Sequence, residues 1–188
     1  MSTLSASSAE DQGVLPSPRE PQARSNARHH RFEAVSIAAL AVILVYVVLF
    51  WRLGTPTFWD PDEAHYAETS REMIASGDWL APYYNDEPFF DKPALFHVVQ
   101  AASMTVFGPT EFAARIVPAL GALALILITA WLGSIAVSRN VGLVAGLLLA
   151  ASPGVFALAR YAILDTVFTA FVFGGAACVA VASLKHRP

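Results

Sequence analysis

The sequence predicts an all-α integral membrane protein with about four transmembrane helices. Three observations predict it. Of its 188 residues, 55% are hydrophobic and the mean hydropathy is +0.51, too apolar for an ordinary soluble domain. Uncharged apolar runs recur at 34–51, 116–135, 141–159 and 166–184. Between the first run and the others lies a polar loop, 53–93, in which nine acidic side chains face only two basic ones, Arg71 and Lys92.

Residues 1–32 are rich in Ser, Ala, Pro and charge, and are expected to be a disordered cytoplasmic tail. The tail ends in Arg24, Arg28, His29, His30 and Arg31, a basic flank that holds the N-terminus in the cytoplasm. The run AVSIAALAVILVYVVLFW, 34–51, is too long for a signal peptide, starts late and is followed by no small-residue cleavage pattern. It reads as a retained first span, and 33–188 as the membrane domain.

The region 53–115 is expected to be an external loop carrying two helices that lie in the interface, at about 61–76 and 94–107. The second, ALFHVVQAASMTVF, is short for a span and carries His97 and Gln100. If it does not cross, Arg139 and the group Lys185, His186 and Arg187 fall inside, and Asp165 falls outside. If it crossed, these sides would reverse, against the positive-inside rule. Gly142 and Gly146 form a small-xxx-small pair, and Gly174 and Gly175 lie in the last span; both suit close helix packing. Pro153 is expected to kink or end its helix. No internal repeat is evident.

Cys178 is the single cysteine, which excludes an internal disulfide and a thiolate metal cluster. No Lys- and Arg-rich block interleaved with aromatics points to nucleic acid. The net charge of −3 carries little information beside its distribution.

The chemistry concentrates in three stretches. In FWDPDEAHYAE, 58–68, Asp60 suits a helix N-cap, Pro61 the first helical position and Glu63 the third, with Gly77 as the stop. Capping accounts for Asp60 and Glu63, and a solvated face for Glu68 and Glu72. Asp62 is not required by capping. It lies in the first turn, where the helix dipole favours negative charge, and shares a face with Tyr66. In NDEPFFDKPALFH, 85–97, Lys92 follows Asp91. It suits either a lipid phosphate or a headgroup anchor, and chemistry alone leaves these equal. In RYAILDT, 160–166, Asp165 is the only acid in the last 77 residues, and N-caps the last span or serves function. His65 and His97 give no convincing metal set, although a cation site shared with Asp91 is an alternative.

These residues resemble a known family. The stretches DEAHYAETSREMIASGDWLAPYYNDEPFFDKPALFHVVQAASMTVFG, EFAARIVPALGAL and RYAILDT, in this order, resemble the N-terminal part of the polyprenyl-phosphate-sugar glycosyltransferases. That family includes lipid A aminoarabinose transferases and protein O-mannosyltransferases. The resemblance covers roughly 35–185 and is strongest over 60–120. It implies a GT-C-type helical bundle in a bacterial inner membrane. Such enzymes move a sugar from a polyprenyl-phosphate donor to a lipid A, glycan or protein acceptor on the extracytoplasmic side, with inversion.

Carried over by position, the resemblance implies catalytic roles for Asp62, Glu63 and Asp165, with Asp62 activating or orienting the acceptor. Lys92 would contact the carrier phosphate, with His65 and Tyr66 also binding substrate. Asp91 would take part in binding a divalent metal. This chain has His65 where the aminoarabinose branch has Arg, and Asp91 where the family has Glu. The family also has many more spans, so the chain reads as an N-terminal fragment, inactive alone. The alternative is a non-catalytic truncated membrane module that binds a partner or lipid. A cation transporter using Asp62 and Asp165 is weaker, lacking broken helices and midplane charges.

Overall fold

The structure is a computed structural model and describes residues 19–59 and 61–185. The N-terminal tail before Arg19, the expected cap Asp60, and His186 and Arg187 lie outside the described residues. The chain divides into two compact units, one ending at Leu40 and the other beginning at Ala41. The first unit holds the opening part of helix α1 (Arg19–Leu49), so helix covers residues 19–32, which the composition places in a disordered tail. Low apolar content argues against a packed core there, but does not bar one continuous helix. Phe32, Val35, Ile37 and Leu40 on this part are all exposed.

The second unit contains the end of α1, then α2 (Asp62–Ser76), α3 (Ala94–Phe107), α4 (Glu111–Ala136), α5 (Arg139–Ala150), α6 (Pro153–Ala159) and α7 (Asp165–Lys185). Between α2 and α3 sits a hairpin, β1 (Tyr83–Tyr84) paired antiparallel with β2 (Glu87–Pro88). Asn85 and Asp86 both take positive φ, 53° and 62°, as a two-residue type I′ turn requires. Helix α2 begins at Asp62 and stops at Gly77, whose φ of 74° is left-handed and whose amide donates to the Met73 carbonyl.

Among the described residues, two helices are long and apolar enough to cross a membrane, Glu111–Ala136 and Asp165–Ser183. The expected span 141–159 is a bent pair, α5 and α6, that breaks by 63° just before Pro153 and counts as a third span if the pair crosses as one. Pro153 cannot donate to the α5 ladder and instead occupies the first turn of α6. The apolar part of α1, Val35–Leu49, is shorter, because Phe50 and Trp51 turn away and Arg52 adopts a φ of 53°. Helix α3 falls short of membrane length. It buries one face, Phe96, His97, Gln100, Ala101 and Met104, while Leu95, Val99 and Val106 stay exposed.

Helix α4 lies at the centre of this unit, packed against α3, α5, α6 and α7. Small residues let its neighbours approach. A side chain at Gly142 would collide with the Ala130 carbonyl and the Ser134 hydroxyl of α4. Thr110 caps α4 by accepting from the Ala113 amide at 3.2 Å. Thr166, at the start of α7, donates to the Pro118 carbonyl at 2.8 Å, and so fixes Asp165 against the N-terminal half of α4.

Candidate functional site

A buried ion pair joins α2 to α4. Glu63 and Arg115 are 0% and 2% exposed and form a two-pronged ion pair. Arg115 Nε donates to Glu63 Oε1 and Nη2 to Oε2, each at 2.8 Å. The other guanidinium donors reach the carbonyls of Leu53 (3.2 Å), Pro56 (2.6 Å) and Thr57 (3.0 Å). Glu63 also accepts from the Ala162 amide at 2.7 Å and the Trp59 amide at 2.9 Å. Both carboxylate oxygens therefore hold two donors each, and the charge is fully compensated out of water.

The structure places Glu63, for which the resemblance implies a catalytic role, inside the fold rather than on the exposed face. It neither faces solvent nor has a lone pair free for a substrate. Nor is it mainly a cap, since the helix starts one residue later than Asp60 would set and Glu63 turns inward.

The neighbouring Asp62 is exposed, as is Asp165 at the start of α7. The two carboxylates come from separate elements and meet electrostatically at Tyr66. Burial first, then the charges of Asp165 and Asp62, push the Tyr66 phenol up to about 12. Tyr66 therefore remains a phenol, able to donate a hydrogen bond. Tyr161 is raised too, by burial and by Asp62 and Glu63. It lines a cavity of about 400 Å³ together with Trp59, Phe156, Arg160, Leu53 and Pro56. Trp59 is 70% exposed, and Arg160 lies over the Phe156 ring at 5.4 Å.

Behind Tyr66 is a second buried polar group. Ser70 Oγ donates to Gln100 Oε1 at 2.7 Å, and Gln100 Nε2 donates to the Ala114 carbonyl at 3.1 Å. His97 Nδ1 lies 3.4 Å from Ser70 Oγ, while its Nε2 has no partner. Burial holds His97 down at about 4, against a smaller upward push from a hydrogen bond with the Tyr66 backbone. The ring is enclosed by Tyr66, Phe89 and Phe96.

The remaining expected residues are more dispersed. His65 is half-buried, with its ring 4.4 Å from that of Tyr84 on the hairpin. Asp91 and Lys92 are exposed in the loop before α3. Lys92 directly precedes Pro93, which shares an apolar groove with Phe96, Leu164 and Phe168 near the start of α7. Among the described residues, no three of His, Cys, Asp or Glu are grouped to hold a metal ion.

Sequence reasoning assigned no role to Arg115 or Tyr161. Arg115 carried a usable signal: a cation inside a long apolar helix needs a buried carboxylate.

Several known proteins are similar to this chain. Residues 35–188 match the family model described as dolichyl-phosphate-mannose-protein mannosyltransferase. A Proteus mirabilis protein, undecaprenyl phosphate-alpha-4-amino-4-deoxy-L-arabinose arabinosyl transferase 1, is 37% identical over 71% of this chain and 24% of its own length. The corresponding transferase of Edwardsiella ictaluri is 35% identical over 71% of this chain and 25% of its own. Two crystal structures of ArnT from Cupriavidus metallidurans are also similar. The apo state has a TM-score of 0.71 at 32% identity, covering 75% of this chain and 26% of that one. The state bound to undecaprenyl phosphate has a TM-score of 0.66 at 31% identity, covering 74% and 25%. The chain thus spans about a quarter of the length of these relatives. The match over most of its length, with the fold shared with ArnT, shows that the chain belongs to the GT-C family of polyprenyl-phosphate-sugar glycosyltransferases that contains the protein mannosyltransferases.

Proposed function

We propose that the chain supplies the acidic side of a sugar-transfer site. A sugar passes from a polyprenyl-phosphate donor to a lipid A, glycan or protein acceptor on the extracytoplasmic side, with inversion. The observation that carries this reading is that two exposed carboxylates from separate elements, Asp62 and Asp165, both act electrostatically on the Tyr66 phenol. The relatives named as arabinosyl transferases, and the ArnT structure holding undecaprenyl phosphate, support the donor class.

In this reading Asp62 accepts a hydrogen bond from the acceptor and takes its proton as the new C–O bond forms. The bond from the anomeric carbon to the phosphate oxygen breaks, and its electron pair leaves with the polyprenyl phosphate. Lys92 offsets that growing negative charge. Tyr66, held protonated, orients the donor or acceptor by hydrogen bonding. The cavity beside Tyr161 offers aromatic walls at Trp59 and Phe156 for the sugar ring. Turnover needs the additional length found in the relatives, and the 188 residues alone are inactive.

Two experiments test this. Asp62→Asn should abolish transfer from a polyprenyl-phosphate-sugar donor in membranes carrying the complete enzyme, and normal turnover removes the assignment. Cysteines placed at 62 and 92 should react with an impermeant maleimide only from outside the cell. Labelling from the cytoplasmic side overturns the topology.

A further inference from the structure

We propose that Glu63 and Arg115 are positioning residues, a buried clamp that sets where Asp62 stands relative to Asp165. The proposal rests on the sugar-transfer reading for its consequence, though not for its geometry. Glu63 is the residue next to Asp62 in the first turn of α2. Its Oε1 accepts from the Ala162 amide at 2.7 Å, three residues before Asp165. The same carboxylate accepts from the Trp59 amide and from both prongs of Arg115 on α4. One side chain therefore ties together the entry to α2, the central helix and the loop that launches α7.

Arg115 completes the clamp from the other side. Its donors pin the carbonyls of Leu53, Pro56 and Thr57, the segment leading into α2. Stability alone is a poor explanation for this arrangement. A buried ion pair gains little over well-packed apolar residues, because desolvation offsets the attraction. The arrangement instead specifies geometry. The two loops flanking the acids are irregular backbone, and their amides and carbonyls close on this one pair. Asp62 and Asp165 are left exposed on the face in front of it.

A carboxylate is required at 63, not merely a charge opposite position 115. Only an acceptor can receive the Ala162 and Trp59 amides. Glu63→Gln replaces one doubly accepting oxygen with a donor. Glu63→Asp keeps the charge but shortens the reach. The charge-swapped pair, Glu63→Arg with Arg115→Glu, restores attraction but cannot accept from either amide.

The test uses the complete enzyme with Cys178→Ala and cysteines at 62 and 165. A short bifunctional thiol crosslinker reads their separation, and thermal unfolding in detergent reads folding. Crosslinking should be efficient with Glu63 and fall several-fold in Glu63→Gln, Glu63→Asp and the swapped pair. In parallel, enzymes retaining Asp62 and Asp165 should lose about 100-fold in kcat, with KM for the donor changed by less than about threefold. Glu63→Asp keeps the test valid if Glu63→Gln fails to fold. Unchanged crosslinking and kcat in a folded Glu63→Asp overturns the proposal, as does full rescue by the swapped pair. Loss of crosslinking in an enzyme that never transfers a sugar upholds the clamp and overturns the functional reading instead.

Discussion

The ring of Tyr66 stacks on the imidazole of His97, with centroids 5.3 Å apart and planes inclined by 29°. One face of that contact belongs to the acidic site and the other to a sealed polar pocket. His97 is completely buried and its Nε2 has no partner. A protonated imidazole in that place would carry a charge without a counterion, so the neutral form is strongly preferred.

That preference makes stability depend on pH. The folded value, about 4, lies below the ordinary 6.5 because burial disfavours the cation. Between these values the unfolded chain binds the proton that the folded chain refuses. Acid therefore favours unfolding, and stability is lost as pH falls from 6.5 toward 4. Thermal unfolding in detergent from pH 7.0 to 4.5 measures it. The stability advantage of wild type over His97→Asn should narrow steadily across that range. A constant difference would remove His97 as the source.

The opposite sign applies to Tyr66. Its phenol is held protonated up to about 12, first by burial and then by the charges of Asp165 and Asp62. It acts as a donor, never as a base, at any pH the cell reaches. Tyr66→Phe should fold normally, since its ring contacts with Phe96 and His97 need no hydroxyl. Transfer should fall about tenfold, the worth of one hydrogen bond, in initial-rate measurements. An undiminished rate would show that the hydroxyl touches nothing that reacts.

Asp165 has a readout separate from turnover. Its negative charge helps raise the Tyr66 phenol, so Asp165→Asn should move that titration to lower pH. Ultraviolet titration, with Tyr66→Phe subtracted, isolates the phenolate signal. The same substitution should lower kcat by about 100-fold if the carboxylate meets the reacting groups. A shifted titration with full activity would place Asp165 near Tyr66 but outside the chemistry.

Much of this site was legible in the chain. DPDEAHYAE announces a helix start with an acid that capping does not need, and Gly77 announces its end. Asp165 stood out as the only acid in the last 77 residues. The partner of Arg115 was not legible, because the loop offers nine acids and the right one lies 52 residues away. Only the fold chooses among them. The long-range partner of Glu63 was hidden for the same reason, since local capping rules fit that residue well. His97 and Gln100 stood out as polar residues in a segment too short for a span. They form one buried face with Ser70, a pairing that periodicity on α3 alone does not reveal.

The contact between α4 and α5 gives a prediction with an internal control. At Gly142 any side chain meets the Ala130 carbonyl and the Ser134 hydroxyl, which belong to the α4 turn it crosses. Backbone cannot yield as a flexible side chain can, so α5 must move away. Gly142→Val should therefore cost about 1–3 kcal/mol by overpacking. Gly175 on α7 has nothing within 4 Å of the position its Cβ would take. Gly175→Ala should be neutral or stabilising by up to about 1 kcal/mol, since alanine is the better helix former. Parallel thermal unfolding of both variants checks the pair. Equal behaviour would mean that α5 does not approach α4 through Gly142.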